Sequence, residues 1–462
     1  AASDVYKRQF KFLEGITSFH RIKASPGFRE AARFCLEKLR EEGVEAHILS
    51  FPAREGVHFW TVPSFQEWRV REAWCYLEEP AEEASKLADF AENPISLIQR
   101  SAPFEGKAEV VLLEKWENPE DYQGLDLGGK VVLTSGDISR VHQLAVEKSG
   151  AIGILYDGMR SIPPVRERMD LPDARQYTSF WWEAGDRKCF GFVLTPRQGE
   201  KLRNLLKEGK KVVVKAKVDS EFYDGSFEVV EATIPGLTDE WVLVVAHLCH
   251  PSPSANDNAS GAAVALESAI VLSRMIRERH LPVPKRGILF LLVPEITGTC
   301  AYLSSREDLI PRIVAGLNLD MVGQKQSVCE SNLLIECPPA SSPTFTPYVL
   351  AWLLGELGAE ASTFSGVGRF PLFRWSISPF SGGSDHYVLS DPTVGIPTPM
   401  LVQWPDRFYH TDHDTPDKVD PAMLWRVGTA VTACAYLLAG ASEREITVMG
   451  LKALSRLQWE LS

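Results

Sequence analysis

Hydrophobic and polar positions alternate along this chain in two rhythms, and the second half switches between them quickly. Val242 to Val245 form a short, continuous, β-branched run within WVLVVAH, the pattern of a strand buried on both faces. A polar loop, LCHPSPSANDN, follows at once, and the small residues of ASGAAVALESAIVLS then predict a helix over Ala259–Arg279. Asn256, Asp257 and Asn258 are each able to cap its start by accepting a backbone N–H bond. The same rhythm continues with strand Gly287–Val293, helix Gly298–Arg306, strand Ile313–Leu319 and helices near 344–357 and 421–439. Such alternation predicts an α/β fold: a mostly parallel central sheet flanked by helices, with ligands at the carboxyl ends of its strands.

The first half reads differently. Phe10 to Arg40 predicts a helix, a Ser-Pro-Gly loop and an amphipathic helix with Ala32, Cys35 and Leu39 on one face, stopped at Gly43. Val44–Phe51 alternates as a half-buried strand. From about 60 to 225 tryptophans, proline-rich turns and short strands take over, among them AEVVLL, KVVLTS and AIGILYD, the last preceded by a predicted helix over Ser139–Gly150. This predicts a compact module over 61–225, inserted into a discontinuous domain made of 1–60 and 226–462. Asp137 and Asp157 end strands there and read as turn residues.

Composition narrows the classes. With 462 residues, 45% hydrophobic and 24% charged, the chain is long enough for more than one buried core and is not a disordered polymer. A net charge of −12 without a basic stripe argues against a nucleic-acid partner. No apolar run reaches the roughly 18–20 residues of a spanning helix, so no membrane partner is expected. The eight cysteines are dispersed and read as reduced core residues. The first residues carry no apolar signal segment, so a cytoplasmic location is the expectation, with a homo-oligomer left open.

The chemistry collects at predicted strand ends. His247, His250 and Asp257 fall within eleven residues, and imidazole with carboxylate is the donor set a zinc ion selects. Glu295 follows the apolar strand ILFLLV, and Asp320 ends VAGLNLD. A carboxylate directly after a buried run is costly unless a cation or donor compensates it. Asp385 and His386 lie in the glycine-rich SGGSDH, and His410 and His413 in FYHTDHDTPDKVD.

The order VVAHLCHP–SANDNASG, VPEITGT, LNLDMVG, SDH and FYHTDHDTPDK resembles the co-catalytic zinc aminopeptidases, a family that includes secreted bacterial leucine aminopeptidases and glutamate carboxypeptidase. The resemblance implies the zinc exopeptidase fold, and GKVVLTSGD with VHQLAVEKSGAIGILYDG resembles the protease-associated domain that some members carry as an insert. It further implies two zinc ions, with Asp257 bridging them, Asp320 a terminal ligand and His410 the histidine of the closing HTxxDT motif; His413 falls outside that position. The first histidine ligand is either His247, at the strand end, or His250, nearer Asp257 along the loop. Two departures stand out. The family's His-x-Asp is here His247-Leu248-Cys249, and its adjacent glutamates, a general base and then a ligand, are here Pro294-Glu295. The resulting expectation is a metallo-aminopeptidase releasing N-terminal residues from a peptide substrate, with Glu295 as catalytic base and Tyr387 a candidate donor to the oxyanion. The alternatives are a single-metal amidase or cyclising member, and a non-catalytic binding protein on this fold.

Overall fold

The computed structural model describes residues 2–358, 360–442, 444, 445 and 447–451, with side chains from residue 7 onward. Its larger sheet has eight strands in the order 45–53, 225–234, 287–293, 241–247, 313–320, 400–404, 332–336, 375–378. The four central strands, 287–293, 241–247, 313–320 and 400–404, run parallel. Four of its seven pairings are parallel, as expected, the fourth being 332–336 with 375–378, and three antiparallel pairings make the sheet mixed: 45–53 with 225–234, 225–234 with 287–293, and 332–336 with 400–404. The physical reason is visible in burial. Glu45–Ala53 alternates exposed and buried positions, the mark of an edge strand wetted on one face, whereas every residue of Gly287–Val293 is buried.

Successive side chains of a strand point to opposite faces, and both faces are covered here. Val242, Val244 and Ala246 enter a core built with helices Pro26–Glu41, Gly261–Arg277 and Pro421–Gly440. Leu243 and Val245 enter the opposite core, with Cys300, Ala301 and Leu303 of helix Thr297–Ser304. Small residues open helix Gly261–Arg277 for a steric reason: a Cβ on Gly261 would lie 2.4 Å from the Leu319 carbonyl oxygen. Two helices, Ala255–Arg277 and Pro421–Gly440, are long and apolar enough to cross a membrane by composition, although no single run in the sequence suggested it. They pack on each other and the sheet, which accounts for their apolarity.

A second, seven-stranded sheet takes all its strands from residues 67–223, in the order 85–89, 67–79, 213–223, 104–112, 131–134, 153–156, 190–193. Its last four strands run parallel. Chain entry and exit lie side by side, since Glu67 pairs with Tyr223. The small hairpin of His58–Phe59 with Val62–Pro63 packs with the larger sheet instead, where Phe59 joins the core under helix Thr297–Ser304. The helix expected over 139–150 is present as an α-helical turn, Ile138–Val141, that widens into a π-helix, His142–Lys148. Asp137 caps it by accepting the Arg140 N–H. Asp157 is more than a turn residue: fully buried, it accepts from Arg203 Nη2 at 2.7 Å and Arg168 Nη2 at 2.8 Å, so its charge is paired where water cannot reach it.

Candidate metal centre

His247 ends a central strand, and the loop after it is tied down from three directions. Arg21, fully buried, donates to the carbonyls of Pro253 at 3.1 Å and Ser254 at 2.7 Å, while its own carbonyl accepts the His250 N–H at 3.0 Å. Asp414 accepts the backbone N–H groups of Asn256 and Asp257. Of the three cap candidates Asn258 takes the role: its Oδ1 accepts from Gly261 and Met321, and its Nδ2 donates to Leu319 at 2.7 Å. His250, Ser254 and His410 all hold positive φ, at 151°, 39° and 60°, strain of the kind that collects at functional loops.

This scaffold aims five side chains at one another. Asp257 Oδ1 lies 3.4 Å from Nε2 of both His247 and His250, and Asp257 Oδ2 lies 3.1 Å from His410 Nε2. His247 Nε2 is also 3.3 Å from Asp320 Oδ1. Among the described residues, three groups of potential ligand atoms lie within 4.8 Å; two share one carboxylate, His247, Asp257 and Asp320, and His250, Asp257 and His410, and the third, His247, Cys249 and His250, has none. Both histidines of the first loop are therefore used, one in each carboxylate set. Two compact imidazole–carboxylate sets, the first fully buried and the second partly open through His250 and His410, fit zinc. Cys249, at the place of the family's aspartate, keeps its Sγ 3.8 Å from His247 Nδ1 and accepts the Glu295 N–H. Burial pushes this thiol up, but hydrogen bonds with His247 and His250 outweigh it and draw its pKa down to about 6.

Glu295 belongs to neither set among the described residues. Ile296 after it, at φ 61° and ψ −60°, forms a tight γ-turn in which the Thr297 N–H donates to the Glu295 carbonyl at 2.6 Å. Asp385 clamps that turn, its Oδ1 accepting from the Ile296 N–H at 2.7 Å and the Thr299 hydroxyl at 2.6 Å. If Glu295 is the first of the family's paired glutamates, Ile296 stands at the second, and it lines a different cavity with Trp60 and Tyr387. Glu295 instead lines a cavity of about 430 Å³ beside His250 and His410. Burial opposes its charge, but His247 and Lys23 hold its carboxyl below the usual range, so it is ionised at neutral pH.

Other sequence candidates lie elsewhere. His386 is buried against Glu336 at 2.8 Å, a pair that Ser381 and Gly382 also hold by donating to Glu336. His413 is half exposed, 4.0 Å from Asp412. Tyr387 lines the second cavity and not the one that Glu295 faces. Two tyrosines reach the site: Tyr409, whose ring stacks on His410 with centroids 3.7 Å apart, and Tyr177, from the second-sheet module. The Tyr177 ring stacks on His410 with centroids 4.4 Å apart and meets His250 edge-on, and its hydroxyl is buried without a hydrogen-bond partner. No spacing in the sequence signalled Tyr177, and Asp414, in FYHTDHDTPDKVD, was given no role by the sequence.

Electrostatics give a test of this centre. Burial lowers the His247 and His250 pKa values, but Asp320 and Glu295 for His247, and Asp257 for His250, outweigh it; His247 is raised well above its ordinary value and His250 to about 10. Metal ligation requires neutral imidazole, so zinc loading of stripped protein at pH 7.5 should release at least about one proton per ion, and affinity should fall as pH drops. Calorimetry in buffers of different ionisation enthalpy reads this directly. Metal uptake without proton release would show that these imidazoles are neutral beforehand. The stability linkage has the matching sign: with raised folded pKa values, the stripped protein keeps this contribution below the unfolded histidine value of about 6.5 and loses it as pH rises toward 10.

The architecture is that of the zinc aminopeptidases. The structure of a zinc aminopeptidase from Bacillus subtilis superposes with a TM-score of 0.65 at 18% identity, covering 96% of each chain. An aminopeptidase from Aneurinibacillus sp. strain AM-1 gives 0.59 at 21% identity, covering 96% of this chain and 97% of that one. The chain itself belongs to a family described as a domain of unknown function, DUF4910, whose model matches residues 11–332. A Clostridium acetobutylicum protein, provisionally named a polysaccharide biosynthesis protein with aminopeptidase-like domain, is 27% identical over 264 residues. That match covers 57% of this chain and 44% of the relative, so the chain corresponds to less than half of its length.

Proposed function

We propose that this protein is a two-zinc aminopeptidase that hydrolyses the N-terminal residue from peptides. The observation that carries the reading is the pair of ligand sets sharing Asp257, with Glu295 outside both and facing the same cavity. His247 and Asp320 would hold one ion, His250 and His410 the other, and Asp257 both. Zinc bound there supplies Lewis acidity toward the scissile carbonyl and makes water a stronger acid. Glu295, already ionised, takes the proton from the attacking water and returns it to the leaving amine. The unpartnered hydroxyl of Tyr177 donates to the oxygen on which negative charge develops, the role the sequence suggested for Tyr387. The retained ligand sets favour this reading over a non-catalytic binding protein, and the presence of the second set favours it over a single-metal amidase or cyclase. The module carrying the second sheet is read as protease-associated-like, covering the site through Tyr177.

The experiment is removal and return of the metal. Exhaustive chelation should abolish hydrolysis of aminoacyl anilides and zinc should restore it, in proportion to zinc bound up to about two equivalents. Full activity in stripped protein would refute the metal reading, and hydrolysis of amino-blocked amides alone would refute the aminopeptidase one.

A further inference from the structure

Lys23 is the only lysine or arginine among the described residues that line the cavity beside Glu295. Its side chain is 17% exposed, an unusual burial for an ammonium group. Glu295 Oε2, 3.7 Å from Nζ, forms an ion pair with it but lies past hydrogen-bond distance, so no acceptor among the described residues takes a hydrogen bond from its three N–H donors. Trp181 of the second-sheet module lies opposite, its ring centroid 5.5 Å from Nζ.

The backbone that carries Lys23 is fixed on both sides. Arg21 is bridged to His250, and the Ala24 carbonyl accepts the Trp68 N–H at 3.1 Å while Ala24 holds φ at 49°. A long, flexible side chain is thus mounted on an over-determined turn and reaches into a cavity whose wall away from the His250, His410 and Glu295 cluster carries uncharged Gln99, Ser139, Thr178 and Ser179 and one carboxylate, Asp137. The ion pair with Glu295 at 3.7 Å leaves the hydrogen-bonding capacity of the ammonium group unused. Hydrolysis with Glu295 as base needs no second cation at this place.

We propose that Lys23 forms a substrate-carboxylate subsite, so that the protein acts on small peptides bearing a carboxylate close to the scissile bond. The proposal rests on the aminopeptidase reading of the site. That carboxylate has two sources, the free C-terminus of a dipeptide or the side chain of an acidic first residue, and both offer the same charge-assisted hydrogen bonds to Nζ.

Two matched pairs separate the sources: Leu-Gly against Leu-Gly-amide, and Glu-Gly-amide against Gln-Gly-amide. The zinc-loaded protein should favour the carboxylate member of one pair by about 10- to 100-fold in kcat/KM, the scale of a hydrogen bond to a charged group. Lys23→Met should bring that ratio close to one, chiefly through KM, and Lys23→Arg should restore part of it. Binding of the same pairs to zinc-loaded Glu295→Gln, followed by calorimetry, reads the preference without turnover, so a failure of the aminopeptidase reading is told apart from a failure of this one. Equal affinity for both members of both pairs would overturn the proposal. So would a Lys23→Met protein that melts normally yet keeps the preference, or one that slows every substrate equally with a displaced pH profile, which would assign Lys23 to Glu295 instead.

Discussion

Glu295→Gln is expected to keep its zinc and lose activity by about 10²–10⁴-fold, the range of a lost general base. The amide is isosteric, and the hydrogen bonds that place this residue are made by its backbone: the N–H to Cys249 Sγ and the carbonyl to Thr297. The γ-turn and its Asp385 clamp therefore survive the change. What disappears is a carboxylate paired with Lys23, facing the cavity and outside both ligand sets. Bound zinc by elemental analysis and turnover on the same sample decide the matter. Loss of one zinc equivalent in step with activity would reassign Glu295 to the coordination sphere.

The part of this architecture written in the sequence is the part where burial is continuous. Residues 241–246 and Gly287–Val293 are apolar throughout because both their faces are covered, and His247 at the end of the first strand and Glu295 two residues past the second are legible as chemistry because polar groups there break the pattern. The edge pairings were harder to read. Direction is not encoded in a strand's periodicity, so the antiparallel flanks at 225–234 and 332–336 emerge only from connectivity. Within the site, the ambiguity between His247 and His250 dissolved because a three-dimensional loop, turned by residues at positive φ, sends both imidazoles to the same carboxylate oxygen. Tyr177 and Lys23 were invisible for a different reason. Each is an ordinary residue in an unremarkable context, and what gives it a role is the packing of distant segments around His250.

On the two-zinc reading proposed above, His250 takes the place of the second glutamate found in the zinc aminopeptidases that the sequence resembles. With Ile296 turned into another cavity, the set formed by Asp257 and His410 would have two donors; His250 Nε2, 3.4 Å from Asp257 Oδ1, is the third. His250→Ala is therefore expected to reduce bound zinc from about two equivalents to one, since a two-donor site holds zinc weakly. Asp257→Asn should have the larger effect, because it removes the group common to both sets and leaves three imidazoles facing an amide. Bound zinc should then fall toward zero and turnover with it. Neither change creates a large cavity, and Asn258 still holds the loop to Leu319 and Gly261, so the stripped variants should still fold, losing only the stability that the Asp257–His250 pair gives the stripped parent. The ordered loss is the discriminating result. If His250→Ala retained both equivalents and Asp257→Asn lost only one, the second ion would have to be held without His250, and the reading of Ile296 as a lost ligand compensated by His250 would fail.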